Sequence, residues 1–228
     1  MKILFVNNLP LADSESGVYT TNLAKDLTDN GHECAILFPE NTVKYKKYGD
    51  IKLFPVFFKD EEEIEDQVEF NFPCFSTHPR SHYNFMDMSR KDRNEYLEVF
   101  FRSIYKAIYE FEPDIIHGQN LWVLSGISST ISDIHRLPVI VTSHGSDMIS
   151  INNEHRRNIE WGTVWAHEAY DYASKVIATS EDNLKLLEDE FGQDDKVVLI
   201  LDDDNVKEVE DIYKKTLGIT EKTNKRKQ

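Results

Sequence analysis

Short apolar runs separated by longer segments of helical period fill most of the chain, the pattern of βα units around a parallel sheet. Residues 3–6 (ILFV) form the first run and residues 33–38 (ECAILF) the second. Between them Tyr19, Leu23 and Leu27 recur at i, i+4 and i+8. They lay one apolar stripe on a helix that ends at Gly31, a residue suited to a left-handed cap. Residues 51–58 predict a third strand, and Pro55 inside it points to an edge position or a bulge. The rhythm then breaks. Residues 59–66 are nearly all acidic, and 70–87 mix Pro73, Pro79, aromatics and two histidines without a period. So long an irregular stretch inside a compact domain argues for a functional loop region.

Order returns at Ser89, which with Asp92 reads as a capping box opening a helix whose one face carries Leu97, Phe100, Phe101, Ile104, Ile108 and Phe111. Pro113 stops it and the short apolar run at 115–117 follows. A helix over 124–135, a strand over 138–142 (PVIVT), a helix over about 154–173 and a strand over 175–179 (KVIAT) complete further units. Ser180 is placed to cap a helix over 181–191 with Gly192 beyond its end, and 197–201 (VVLIL) is the last strand. Asp204 or Asn205 is placed to cap a final helix with the stripe Val209, Ile212 and Tyr213. The expected fold class is therefore α/β, a single doubly wound Rossmann-like domain over 1–203. A C-terminal helix over 204–219 packs back on it, and a polar tail at 220–228 is frayed.

Composition narrows the partners. With 40% hydrophobic residues, including 13 Phe and 10 Tyr, the chain has the apolar material for a covered sheet. Its 41 acidic against 26 basic residues give a net charge of −15, which repels nucleic acid and anionic membranes. No apolar run approaches a membrane span, and the N-terminal run is too short for a signal-peptide core, so a cytoplasmic location is expected. Cys34 and Cys74 stand without a metal-ligand pattern, and no metal or tightly bound cofactor is expected.

In open parallel sheets ligands bind beyond the carboxyl ends of the strands, so the residues following each strand carry the candidate chemistry. The first loop leads to Gly17, where helix N-terminal amides can meet an anion, although neither a GxGxxG fingerprint nor a P-loop is present. A plain strand-to-helix turn is the competing reading of that glycine. The hexapeptide 142–147 (TSHGSD) delivers His144, Gly145 and Asp147. A neutral imidazole there can hydrogen-bond a sugar hydroxyl or phosphate oxygen, and Gly145 can let a ligand approach the backbone, with a satisfied strand-end histidine as the competing reading of His144. One strand away, His117 offers an imidazole and Gln119 and Asn120 offer amides suited to reading hydroxyls, with a loop-fixing hydrogen bond as the alternative for His117. Ser180 follows the next strand.

Four segments then resemble a known family in order and spacing. Gly17, NLAKDL at 22–27 and NGHE at 30–33 are similar to its glycine, LAxxL and GHEV pattern, with Cys34 where Val is usual. PDIIH at 113–117, PVIVTSHGSD at 138–147 and ASKVIATSE at 173–181 resemble its PDIIH, PVVxTxHGxD and ADxVIxxSE. The family is the family-four glycosyltransferases, and the resemblance is to their N-terminal, acceptor-side domain. It implies a two-domain enzyme, retaining and metal-free, that moves a sugar from a nucleotide-sugar co-substrate to an acceptor in the interdomain cleft. It also implies His144 near the reacting sugar as the catalytic candidate, with Gly17, His117, Gln119, Gly145, Asp147 and Ser180 as substrate-binding candidates. The family's second domain, with its E-x7-E motif, has no room after residue 201. The spacing of Glu160 and Glu168 is read as coincidence within a first-domain helix. The expected partners are a nucleotide sugar, a sugar-containing acceptor and a separate donor-binding subunit. A non-catalytic sugar-binding or assembly subunit, or an inactive remnant, is the alternative.

Overall fold

The computed structural model describes residues 1–151, 160–201 and 206–219. Seven strands form one parallel sheet: β1 (Lys2–Asn7), β2 (Glu33–Glu40), β3 (Lys52–Phe57), β4 (Ile115–Gln119), β5 (Val139–Ser143), β6 (Lys175–Ala178) and β7 (Val197–Leu199). Their spatial order is β3-β2-β1-β4-β5-β6-β7, the doubly wound arrangement that the alternating pattern predicts. Pro55 sits in β3, an edge strand paired only with β2, where its missing N–H costs no ladder bond.

Helices α1 (Glu15–Asp29), α2 (Arg90–Phe111), α3 (Val123–His135), α4 (Ser146–Ile151), α5 (Glu160–Tyr172), α6 (Glu181–Phe191) and α7 (Val206–Thr216) flank the sheet. Alternation along each strand sorts the core into two layers. Leu4, Val6, Ile116, Val139, Val141 and Val176 pack with residues of α2, α3 and α5. Ile3, Phe5, Ile115, Ile140 and Ile177 pack with Leu23 and Leu27 of α1 and Val209 and Tyr213 of α7. The helix over residues 206–216 thus lies across the sheet centre. Asp204, Asn205, the tail at 220–228 and the beginning of the helix expected from 154 lie outside the described residues.

Local chemistry explains the helix ends. The Ser89 hydroxyl accepts from the Asp92 amide (3.2 Å) and donates to the Asp92 carboxylate (2.8 Å), closing the box at the start of α2. Ser180 accepts from the Asn183 amide (3.1 Å) at the start of α6. α1 ends through bonds of Gly31 N–H to the Thr28 carbonyl and His32 N–H to the Leu27 carbonyl, with Gly31 at φ +87°. α4 is an addition to the sequence expectation, which has no helix between the strand over 138–142 and residue 154. It starts immediately after the left-handed Gly145, whose carbonyl accepts from the Ile149 amide at 2.8 Å. The segment between β3 and α2 is irregular, crossed by isolated bridges Phe58–Val68 and Cys74–Asn84. No described helix is long and apolar enough to cross a membrane.

Candidate functional site

Strand order reverses between β1 and β4, which opens the crevice where such sheets bind ligands. Register brings Asn7 beside Gln119, Gln119 beside Thr142, and Ser143 beside Ala178. The residues following β1, β4, β5 and β6 therefore share one edge of the molecule.

His144 is the centre of that edge. Its Nε2 lies 2.9 Å from Oε1 of Gln119, and Tyr19 of α1 meets its ring edge-on at a centroid distance of 5.0 Å. Burial pushes its pKa down to about 4, so the ring is neutral at pH 7. With Nε2–H donating to Gln119, the lone pair rests on Nδ1, a buried atom that no protein group contacts by hydrogen bond. Nε2 of Gln119 and the side-chain amide of Asn120 likewise lack partners while buried, and Asn120 holds a left-handed backbone at φ +73°. Buried polar atoms are normally satisfied, so this group of open donors and acceptors stands out from the rest of the edge. Beyond Gly145, at φ +85°, the space a Cβ would enter is open.

Asp147 is fully buried, and both its oxygens are occupied. Oδ2 accepts from the Leu121 amide (2.6 Å), and Oδ1 from the Ser143 hydroxyl (2.9 Å) and the Met148 amide (3.0 Å). Burial raises its pKa to about 6, against the opposing pull of those donors. Asn183 of α6 completes the lacing, donating to the Ser143 carbonyl at 2.6 Å and accepting from the Ser143 hydroxyl at 3.1 Å. Ser180 is exposed, its hydroxyl capping α6.

Two of the candidates have their polar groups engaged within the fold. His117 does not face the crevice: alternation turns it to the α7 side, where it is completely buried. Its Nδ1 pairs with the Tyr213 hydroxyl (2.5 Å) and its Nε2 with the Thr142 hydroxyl (2.8 Å). Burial, helped by the neighbouring His144, lowers its pKa to about 3. Gly17 stands at the crevice mouth, yet its N–H is spent on the Ser14 hydroxyl at 3.0 Å, and that hydroxyl donates to the Pro10 carbonyl at 2.5 Å. A side chain at Gly17 would run into Pro10, Leu11 and Ser14, so close packing explains the glycine. Sequence reasoning passed over the individual roles of Asn8 and Asn183, whose signal was their position immediately beyond a strand or inside a capped turn. Asn8 donates to the Gln119 carbonyl at 2.8 Å and ties the first loop to β4.

Residues 16–201 match the family described as Glycosyltransferase Family 4. No curated protein matches the chain in sequence. Among solved structures, the Alr3699/HepE protein of Anabaena, in complex with UDP and glucose, superposes with a TM-score of 0.55 at 15% identity, covering 89% of this chain and 44% of that one. Sucrose-phosphate synthase of Thermosynechococcus elongatus gives 0.59 at 12% identity, covering 88% and 48%. A second, shorter chain of that synthase gives 0.60 at 12% identity, covering 94% of this chain and 98% of that one. The present chain thus spans less than half the length of the first two structures, and the likeness is one of fold.

Proposed function

Because the chain belongs to Glycosyltransferase Family 4, we propose that it forms the acceptor-side half of a sugar transfer from a nucleotide sugar to a glycan, lipid or small-molecule acceptor. The observation that carries this reading is the neutral His144 at the switch point, fixed by Gln119 with Nδ1 left open. Such a nitrogen accepts a hydrogen bond from a hydroxyl, and the open amides of Gln119 and Asn120 supply the complementary polar groups. Gly145 gives a ligand access to backbone, Ser180 borders the site, and Asp147 holds the loops that carry it.

Catalysis would rest on bringing acceptor and donor together in a fixed geometry, with His144 the polar contact nearest the reacting sugar. In this reading a separate donor-binding partner supplies the donor half. The transfer is hexosyl and retaining by family resemblance, and its setting the cytoplasm. The test pairs the purified chain with such a donor-binding partner and a panel of UDP-glucose, UDP-N-acetylglucosamine and GDP-mannose. Nucleotide release is expected only from the pair, and His144→Ala should reduce it at least tenfold. Turnover by the chain alone would refute the need for a partner; an unaffected His144→Ala pair would refute the site.

One observation favours a second reading, a sugar-binding or assembly subunit without catalysis. With its amide committed to Ser14, Gly17 has no free N–H for a donor phosphate at the start of α1. Calorimetry separates the two readings: the subunit binds glycan or protein partner, with no nucleotide release in any combination.

A further inference from the structure

Helix α2 carries a second surface on its outer face, at the end of the sheet away from the crevice. The helix leads directly into β4, so its last turns lie beside the amino ends of the strands, where the Asp114 carboxylate accepts from the Lys2 amide at 2.7 Å. Phe100, Ile104, Ile108 and Phe111 are buried on its inner face. The same periodicity turns Arg102, Tyr105, Tyr109 and Glu112 outward, and all four are exposed.

Tyr105 is 54% exposed and Tyr109 78%. The Tyr105 ring meets His135 at a centroid distance of 5.5 Å, which sets the last turn of α3 alongside, with Ile134 77% exposed. Together Tyr105, Tyr109 and Ile134 offer on the order of 400 Å² of largely apolar surface, an extent that marks an interaction site more than scattered surface residues do.

Charge indicates what covers this face. A net charge of −15 makes one copy of the chain repel another over much of its surface. The exposed positions of α2 depart from that balance, with Arg90, Lys91, Arg102 and Lys106 against Glu98 and Glu110. The four outward residues are spaced three, four and three apart, so the stripe reads arginine, tyrosine, tyrosine, glutamate with the same spacing from either end. Laid antiparallel on itself, it sets tyrosine against tyrosine in the middle and arginine against glutamate at both ends. That is the reciprocal pairing of a two-fold interface, apolar at its centre and polar at its rim.

Both charged ends are suited to an outside partner. Arg102 stands 3.8 Å from Glu98 in a well exposed ion pair, which contributes little and leaves the guanidinium available. Glu112 caps the carboxyl end of α2, whose last turn has no basic residue, and a carboxylate there opposes the helix dipole. An arginine brought by another molecule would offset that opposition.

We propose that Arg102, Tyr105, Tyr109 and Glu112, flanked by Ile134, form the contact of a two-fold dimer of this chain. The α2 helices run antiparallel, with Tyr105 of each copy on Tyr109 of the other and Arg102 on Glu112. The two crevices then open in opposite directions, away from the contact, and both stay accessible.

Sedimentation velocity of the full chain, from micromolar to submillimolar concentration, tests this. The wild type should pass from monomer to dimer as concentration rises. Tyr109→Ser and Arg102→Glu should each weaken the dimer by about tenfold or more, since one removes the central contact and the other sets like charges together. Glu112→Arg should weaken it as much without lowering the melting temperature, because the new charge suits the helix end. Arg102→Glu combined with Glu112→Arg exchanges the ends of the stripe and should restore association to within about threefold of the wild type. A monomer at every concentration overturns the proposal and leaves the stripe to a different protein. A dimer that persists in Tyr109→Ser and in both charge reversals overturns it by placing the contact elsewhere, and a double variant that stays monomeric overturns the antiparallel pairing.

Discussion

Single side chains here are tuned by what surrounds them. The imidazoles of His117 and His144 have pKa values lowered by burial from 6.5 to about 3 and about 4, so the unfolded chain takes up those protons first as pH falls. Their contributions to stability are present above pH 6.5 and lost on descent towards pH 4. Asp147 acts oppositely: raised from 3.8 to about 6, its contribution is intact below pH 3.8 and lost as pH rises through 6. Two histidines outweigh one aspartate, so the melting temperature should drop between pH 6.5 and 4, a change on the order of a few kcal/mol. His117→Gln should be less stable at pH 7 yet show a shallower acid decline in scanning calorimetry. A flat wild-type profile would contradict the assignment. The sequence pointed to His144 because a β-branched run ends just before it, at a place where parallel sheets bind. The same motif logic could not show the Tyr213 and Thr142 bonds of His117, because only packing shows that α7 covers it.

At the scale of elements, the strands were legible throughout, since buried parallel strands are short apolar runs whatever their neighbours. Helix α4 was not, because residues 146–151 carry no apolar period and form a helix only where Gly145 turns the backbone and Asp147 gathers amide donors. The pairing of Glu40 with Arg80 was equally invisible, joining positions 40 residues apart through an irregular segment. Helices α3 and α5 show how packing overrides propensity. A Cβ at Gly126 would strike the backbone of Trp165, and one at Gly162 would enter the ring of Trp122. Alanine in place of glycine ordinarily stabilises a helix interior by roughly 1 kcal/mol. Gly126→Ala should instead destabilise this protein by about 1–3 kcal/mol in denaturant unfolding, the cost of overpacking. A stabilised variant would mean that the two helices do not approach so closely.

Across the whole molecule, the C-terminal helix is tied to the sheet centre by one polar bond within an apolar contact. Tyr213 is buried among Ile115, Ile140 and Ile177 and bonds His117. Tyr213→Phe leaves a buried ring nitrogen without its partner, and unfolding free energy should fall by about 1–3 kcal/mol. Urea titration followed by far-UV circular dichroism measures it; an unchanged midpoint would show that the bond adds nothing. The lacing at the opposite edge of the strands bears on ligand choice. Asp147 clasps the turn after β4, and Asn183 grips the end of β5 from α6. Three consecutive strand ends are thereby welded into a single stiff plate. In the function proposed above, an incoming sugar would meet a surface whose ordering cost was met when the protein folded, so discrimination among sugars would fall to shape.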